Sequence, residues 1–241
     1  MGNQDWKTQK PLNGRAYGSI PHLPESRLGP GDHAIHEGQA RIACERVRDL
    51  HDRVIVTEKL DGSCTAVANV QGEIVALGRS GYLAQSSQYS QHQKFAAWVR
   101  DRAYIFRDVL CEGDRIVGEW LAQAHGTRYR LNGLHSTRSM WAPFDVFTGR
   151  SRRPHDEAQE MFEQLRLTPP TVLSDGSSIA IDKVMSILGP HGYHDAIDGP
   201  EGAVWRVERR GKFDFLAKYV RPDKVDGKYL PEISGEPAVW N

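Results

Sequence analysis

The sequence predicts an α+β fold built on antiparallel β-sheets with flanking helices. Two strand-like runs, residues 65–70 and 73–77, flank Gln71-Gly72, which reads as a tight hairpin turn. The remaining strand-like runs mostly lie near a neighbour with which they can pair, and segments of helical periodicity separate them. Neither of the glycine patterns of parallel nucleotide-binding sheets is present: no GxxxxGK followed by Ser or Thr, and no GxGxxG.

In chain order, residues 1–37 are rich in Gly, Pro and His. Pro21, Pro24 and Gly29-Pro30-Gly31 interrupt any regular element, so an irregular arm is expected, with a short strand at 17–20. Over 37–50, Ala40, Ile42, Ala43, Val47 and Leu50 suit one face of a helix. Residues 54–59 follow as a buried strand that is β-branched at Val54, Ile55 and Val56. A helix over 91–110 would turn Phe95, Trp98, Val99, Ile105 and Phe106 inward. Strands are expected at 115–119 and 140–147, helices at 156–165 and 179–188, and strands again at 202–208 and 213–220, before a Pro-containing tail.

Composition excludes several classes. The 31 basic and 31 acidic residues leave no net charge, which argues against a protein that coats nucleic acid indiscriminately. A local basic groove remains open: Arg128 with Arg130, Arg138, Arg150-Ser151-Arg152-Arg153, and Arg206, Arg209, Arg210 and Lys212 are dense in basic side chains. A solvated face is the plain alternative. No apolar stretch approaches the roughly 18 residues of a membrane span, and the first six residues carry no apolar signal region, so a cytoplasmic protein with no membrane partner is expected. Cys44, Cys64 and Cys111 are far apart, without a CxxC pair, and indicate neither a disulfide framework nor a zinc site. His191, His194 and His125 read as loop residues, since further metal ligands are missing beside them.

The strand at 54–59 ends in Glu58-Lys59-Leu60-Asp61-Gly62. A lysine at the mouth of a buried strand, between two carboxylates, is unusual in a core. Desolvation favours its neutral form, which is a nucleophile. Four further pieces follow: Gly118-Glu119-Trp120 at a strand end, Ala142-Pro143-Phe144-Asp145 in an aromatic-rich strand, Glu201-Gly202 opening a strand, and Lys218 within the apolar run Phe215-Leu216-Ala217-Lys218-Tyr219-Val220. Each alone has an ordinary reading as a turn, a strand end or a snorkelling side chain. Their order and spacing together have none.

Taken together, the five pieces resemble the motif series of the covalent nucleotidyltransferase superfamily of nucleic-acid ligases and mRNA capping enzymes, over about residues 54–224. The Glu58-Lys59 pair, the Glu119 motif and the short chain are most similar to the RNA ligase 2-like and RNA-editing ligase group. Tyr17-Gly18-Ser19-Ile20 loosely matches that group's first strand. Cys64 stands where DNA ligases usually carry arginine, which argues modestly against DNA.

The resemblance implies a ligase adenylation domain, ATP-grasp-like, over 51–226, with residues 1–50 as an arm and helix packed on it, 227–241 as a tail, and no appended OB-fold or helical domain. It implies an ATP-dependent RNA ligase: Lys59 attacks the α-phosphate of ATP, and the AMP passes to the 5′-phosphate of nicked or broken RNA, which is then sealed to a 3′-OH. By the same resemblance Glu119 and Glu201 help organise Mg2+ or Mn2+, with the ribose hydroxyls an alternative for Glu119. Asp61 orients the lysine loop and Gly62 lets backbone approach the nucleotide. Phe144 stacks on adenine and Glu58 sits at the adenine edge, through its backbone in one version. Lys218 contacts the α-phosphate. Arg79 either reaches ribose or nucleic acid or is a solvated hairpin end.

The family's last motif usually carries two lysines one residue apart. Here Leu216 or Val220 occupies the second place, and Arg221 and Lys224 are the nearby basic alternatives. A partner protein supplying nucleic-acid-binding surface would fit the missing module. A DNA ligase, a GTP-using capping-type enzyme and a non-catalytic binding module of the same fold remain as alternatives.

Overall fold

The computed structural model describes residues 10–131 and 140–241; Arg138, one of the basic candidates, lies outside the described residues, as do the first nine. In chain order the elements are α1 (Glu37–Cys44), β1 (Asp52–Lys59), β2 (Ser63–Val70), β3 (Glu73–Gly78), α2 (Ser90–Arg100), α3 (Ala103–Arg107), β4 (Asp114–Trp120), β5 (Trp141–Thr148), β6 (Ser151–Arg152), α4 (His155–Gln164), β7 (Val172–Gly176), α5 (Ile181–Leu188), β8 (Gly202–Arg209), β9 (Lys212–Val220) and α6 (Pro231–Ser234). The strands form two wholly antiparallel sheets, as the α+β reading requires. The chain divides into two compact units, each assembled from three separate stretches of sequence.

The first unit holds the sheet β3-β2-β4-β5-β6 and takes Met1–Gly18, Ser63–Gln123 and Ser139–Pro169. One face is apolar because β2, β4 and β5 alternate, placing Val67, Ile116, Trp120, Trp141 and Val146 inward against Phe95, Val99 and Phe106 of the helices and Phe162 of α4. Trp141 is fully buried, with ring centroids of Phe95 and Trp98 each 5.6 Å away. Its indole N–H donates to Thr65 Oγ1 at 3.0 Å, so the polar atom of this large side chain is satisfied.

The second unit holds the sheet β7-β1-β8-β9 and takes Ser19–Gly62, Ala124–Arg138 and Pro170–Asn241. Val54 and Val56 of β1, Trp205 and Val207 of β8 and Phe215 and Ala217 of β9 pack against Ala40 and Ala43 of α1 and Val184 of α5. The outer edge of β9 is covered by the arm: Lys218 N–H donates to Pro21 O, Leu23 N–H to Lys218 O and Arg27 N–H to Val220 O. That cover removes an exposed strand edge.

Three sequence expectations need correction, and one strand has no counterpart among them. The helix expected to reach Leu50 ends at Cys44. Past it, Asp52 takes the Arg48 N–H and Asp49 takes the His51 N–H, so side-chain acceptors compete the backbone out of the helix. The helix expected over 91–110 is broken at Asp101-Arg102, where the Arg102 guanidinium donates to the Trp98 carbonyl at the end of the first piece. Residues 17–20 form no strand; the Ala16 and Tyr17 N–H groups both donate to the carbonyl of Arg79 instead. Conversely, β7 was hidden by Ser174-Asp175-Gly176, which reads as a turn, yet it pairs with β1 along Val54–Thr57.

Candidate active site

Within the second unit, β1 delivers Lys59 at its last position, directly opposite Gly202 of β8. Lys59 Nζ lies 2.5 Å from Glu201 Oε2, the residue before β8 begins. The glycine after Glu201 is required by packing: a Cβ on Gly202 would run into the Tyr219 carbonyl of β9. Thr57, Val204 and Lys218 share the cross-strand row two positions on from Lys59, so Lys59 and Lys218 project from the same face of the sheet. Burial, and then the charge of Lys59, holds the Lys218 ammonium below the usual lysine range. Its partner is Asp32 of the arm, 3.5 Å away.

Asp61 is held at both ends. Its N–H donates to Tyr129 Oη at 2.8 Å, and its Oδ2 accepts the Gly126 N–H at 2.8 Å and the Lys224 ammonium at 2.5 Å. Burial alone would raise its carboxyl, but Lys224, with Lys59 behind it, brings it below the ordinary value. Glu201 goes the other way: burial pushes its carboxyl up, more than the neighbouring Lys59 charge pulls it down. Gly62 lies in the bend that leads into β2.

Glu58 points to the opposite face. It is 1% exposed, and its Oε2 accepts the Tyr193 N–H at 3.1 Å and faces His194 Nδ1 at 2.9 Å. His194 is therefore a partner of the residue before Lys59. His191 Nδ1 meets the Ala196 carbonyl at 3.1 Å. Burial lowers the His125 imidazole below its usual range.

The first unit carries Arg79, Glu119 and Phe144. Glu119 is half-buried on β4, paired in register with Cys64 and Ala142. Between β4 and β5 the register shifts: Val117 faces Asp145 and Gly118 faces Pro143. Phe144 is the extra residue of this bulge, a device that re-aims a side chain out of the regular alternation. The Tyr17 ring meets it edge-on at 5.2 Å, while Tyr17 Oη donates to Asp145 Oδ2 at 2.6 Å and Arg152 pairs with Asp145 at 3.0 Å. Arg79 follows β3 and its guanidinium donates to Gly18 O at 3.2 Å.

Most of the basic clusters are engaged in ion pairs. Arg128 clasps Asp198 through two bonds of 2.9 Å, Arg153 meets Asp114 at 2.8 Å and Arg206 meets Glu208 at 2.6 Å. Arg48, Arg209, Arg210, Lys212, Phe213 and Asp214 line an open cavity of about 450 Å³ on the second unit.

No three His, Cys, Asp or Glu side chains come together as a metal site among the described residues. The buried Glu201 carboxylate, with its acidity weakened by burial, is still compatible with a hard cation that keeps most of its waters and takes one or two carboxylates.

Lys224, Gly126, Thr127, Tyr129, His194 and Asp32 carry no motif pattern that would have marked them as site neighbours. For Lys224 the only signal was its basic character close behind Lys218.

A family model described as RNA ligase matches residues 52–220, well over half of the chain. No curated protein matches the chain significantly. Among solved structures, an archaeal ATP-dependent RNA ligase is similar at 18% identity and a TM-score of 0.53, covering 85% of this chain and 48% of that one. A ligand-free mutant of Naegleria gruberi RNA ligase is similar at 18% identity and a TM-score of 0.51, covering 78% and 53%. Another mutant of that ligase, with AMP and Mn, has 14% identity and a TM-score of 0.54, covering 92% and 64%. The chain thus spans about half the length of the first two. The match over 52–220, which contains Lys59, Glu119, Phe144, Glu201 and Lys218 in that order, makes this chain a member of the RNA ligase family.

Proposed function

We propose that this protein is an ATP-dependent RNA ligase that works through a lysyl-AMP at Lys59. The observation that carries the reading is the pairing of Lys59 Nζ with Glu201 Oε2 at the mouth of β1, next to an Asp61 fixed on both its backbone and its carboxylate. A free amine is needed for attack, and Oε2 lies where it can take the Nζ proton.

In the first step the Lys59 nitrogen attacks the α-phosphorus of ATP. A P–N bond forms, the P–O bond to the β-phosphate breaks, and pyrophosphate leaves. In the second, an oxygen of the RNA 5′-phosphate displaces Lys59 from AMP, and the amine regains a proton. In the third, the RNA 3′-OH attacks that 5′-phosphorus, AMP departs and the hydroxyl proton is released. Lys218 is assigned to the α-phosphate and Phe144 to the adenine face, with Glu58 at the adenine edge and Arg79 on ribose or RNA. A divalent ion, Mg2+ or Mn2+, held by Glu201 and Glu119 would supply charge neutralisation for the triphosphate. A solved RNA ligase of similar fold, from Naegleria gruberi with ATP and Mn, supports ATP as co-substrate and a metal as cofactor. RNA, nicked or broken, is the substrate that family membership favours. Repair of RNA in the cytoplasm, with a partner protein adding nucleic-acid-binding surface, completes the proposal.

The test is incubation with ATP or GTP labelled on the α-phosphate, with Mg2+ or Mn2+, followed by a denaturing gel. ATP is expected to label the wild-type protein and not Lys59→Ala. Label that persists in Lys59→Ala, or none with either nucleotide, would sink the mechanism. A pre-adenylated nicked RNA is expected to be joined faster than an all-DNA nick, since the 2′-OH tells them apart; the reverse order would make the chain a DNA ligase.

A further inference from the structure

We propose that Lys224 is a positioning residue that fixes the nucleophile turn by holding Asp61. This rests on the reading of Lys59 as the adenylated residue. Lys224 lies beyond the region matched by the family model, just after β9, and 163 residues from Asp61 in sequence. It is nevertheless only 4% exposed. Its ammonium donates to Asp61 Oδ2 and to Thr127 Oγ1.

The surroundings are built around that ammonium. At Gly126 a Cβ would meet the Val225 carbonyl and would come within 3.0 Å of Lys224 Cε and Nζ, so only glycine lets the two segments close. The same Gly126 donates its N–H to Asp61 Oδ2, and Tyr129 takes the Asp61 N–H. Two distant stretches of chain, 126–129 and 224–225, therefore converge on Asp61, two residues past Lys59. A buried ammonium without a counter-charge is expensive, and so is a buried carboxylate. Each is retained here because the other is present.

The alternative role for a basic residue at this point is direct contact with the nucleotide phosphate, in place of the second lysine missing from the last motif. The two roles differ in what they change. Positioning through Asp61 alters the rate at which bound ATP is attacked. A phosphate contact alters how well ATP is held.

The experiment uses the full chain with Lys224→Met, Asp61→Asn, the double variant and the milder Thr127→Val. Lysyl-AMP formation is followed with α-labelled ATP over a range of concentrations. For Lys224→Met a fall of about 10- to 100-fold in the rate at saturating ATP is expected, with the half-saturating ATP concentration moving less than about threefold. Asp61→Asn should fall similarly and the double variant no further, while Thr127→Val shows a smaller loss of the same kind. A large rise in half-saturating ATP, or losses that multiply in the double variant, would overturn the proposal.

Amide hydrogen exchange of the peptide spanning residues 59–62 provides a readout that needs no ATP. Faster exchange there in Lys224→Met, with exchange in β4 unaltered, is expected. Unaltered exchange at 59–62 would overturn the positioning role even if the wild-type protein took no label, an outcome that by itself would count against Lys59 as nucleophile.

Discussion

Replacing His194 with alanine removes one of the two polar partners of the Glu58 carboxylate, and the cost can be worked from its surroundings. Glu58 is 1% exposed, so water cannot take the vacated place without opening the loop. Its Oε2 faces His194 Nδ1 at 2.9 Å and the Tyr193 N–H at 3.1 Å, and the second survives the substitution. A hydrogen bond to a charged group contributes about 1.5–3 kcal/mol, and stripping a partner from a buried charge can cost about 3–5 kcal/mol. With Tyr193 still donating, a loss of about 2–4 kcal/mol is expected, or a fall of about 5–15 °C in Tm for a chain of this size. Thermal unfolding followed by calorimetry measures it. In the Glu58→Gln/His194→Ala double variant no carboxylate remains to be stranded, so the two losses should fall short of their sum by about 1 kcal/mol or more. A drop of less than 1 °C in the single variant, or full additivity in the double, would refute the claim that the imidazole holds the residue preceding Lys59.

Three further outcomes follow from other parts of the molecule. Burial alone would raise the Asp52 carboxyl, but Arg48 and Arg209 more than reverse this and hold it at about 2. With an unfolded value near about 3.9, its stabilisation is complete above about pH 4 and is lost as pH falls from there to about 2. Urea midpoints for Asp52→Asn should therefore be flatter than wild type across that window, and parallel profiles would count against the pairing. Phe144→Ala should raise the ATP concentration needed for half-maximal labelling about 5- to 150-fold, given about 1–3 kcal/mol for a stacked base, whereas Phe144→Trp should change it little; equal behaviour of the two would remove the stacking role. Trp141→Phe should cost about 1–3 kcal/mol in denaturant unfolding, from the lost bond to Thr65 and a small cavity beside Phe95, and an unchanged midpoint would contradict that packing.

The five motif pieces were readable because each joins a strand pattern to a chemically odd residue: Lys59 at the end of a β-branched run, Glu201 before a glycine, Lys218 inside apolar sequence. The hairpin at Gln71-Gly72 was readable for the same local reason, since its turn chemistry lies within the segment. What stayed hidden depends on distant parts of the chain. Lys224 acquires its role only when the fold brings it to Asp61, and His194 only when its loop closes over Glu58. The bulge at Phe144 is a mismatch of register between two strands, which neither strand reveals alone. The arm was expected to be irregular, and its residues 10–36 largely are. Its backbone pairing with β9 could not be read from a segment rich in proline, because that pairing is set by β9.

The position of β1 between β7 and β8 has a consequence for the way the chain emerges from the ribosome. Both neighbours of β1 are encoded later, and Lys59 waits for a partner 142 residues downstream. At roughly 5–20 residues per second, the run Val54-Ile55-Val56 leaves the exit tunnel and stays without its neighbouring strands for roughly 7 to 30 seconds. Such a segment is β-prone and uncharged at its centre, the kind that pairs with the wrong chain when left open. The stretch Ser63–Gln123 is synthesised within that interval, so the strand that ends in Lys59 is made early and buried late.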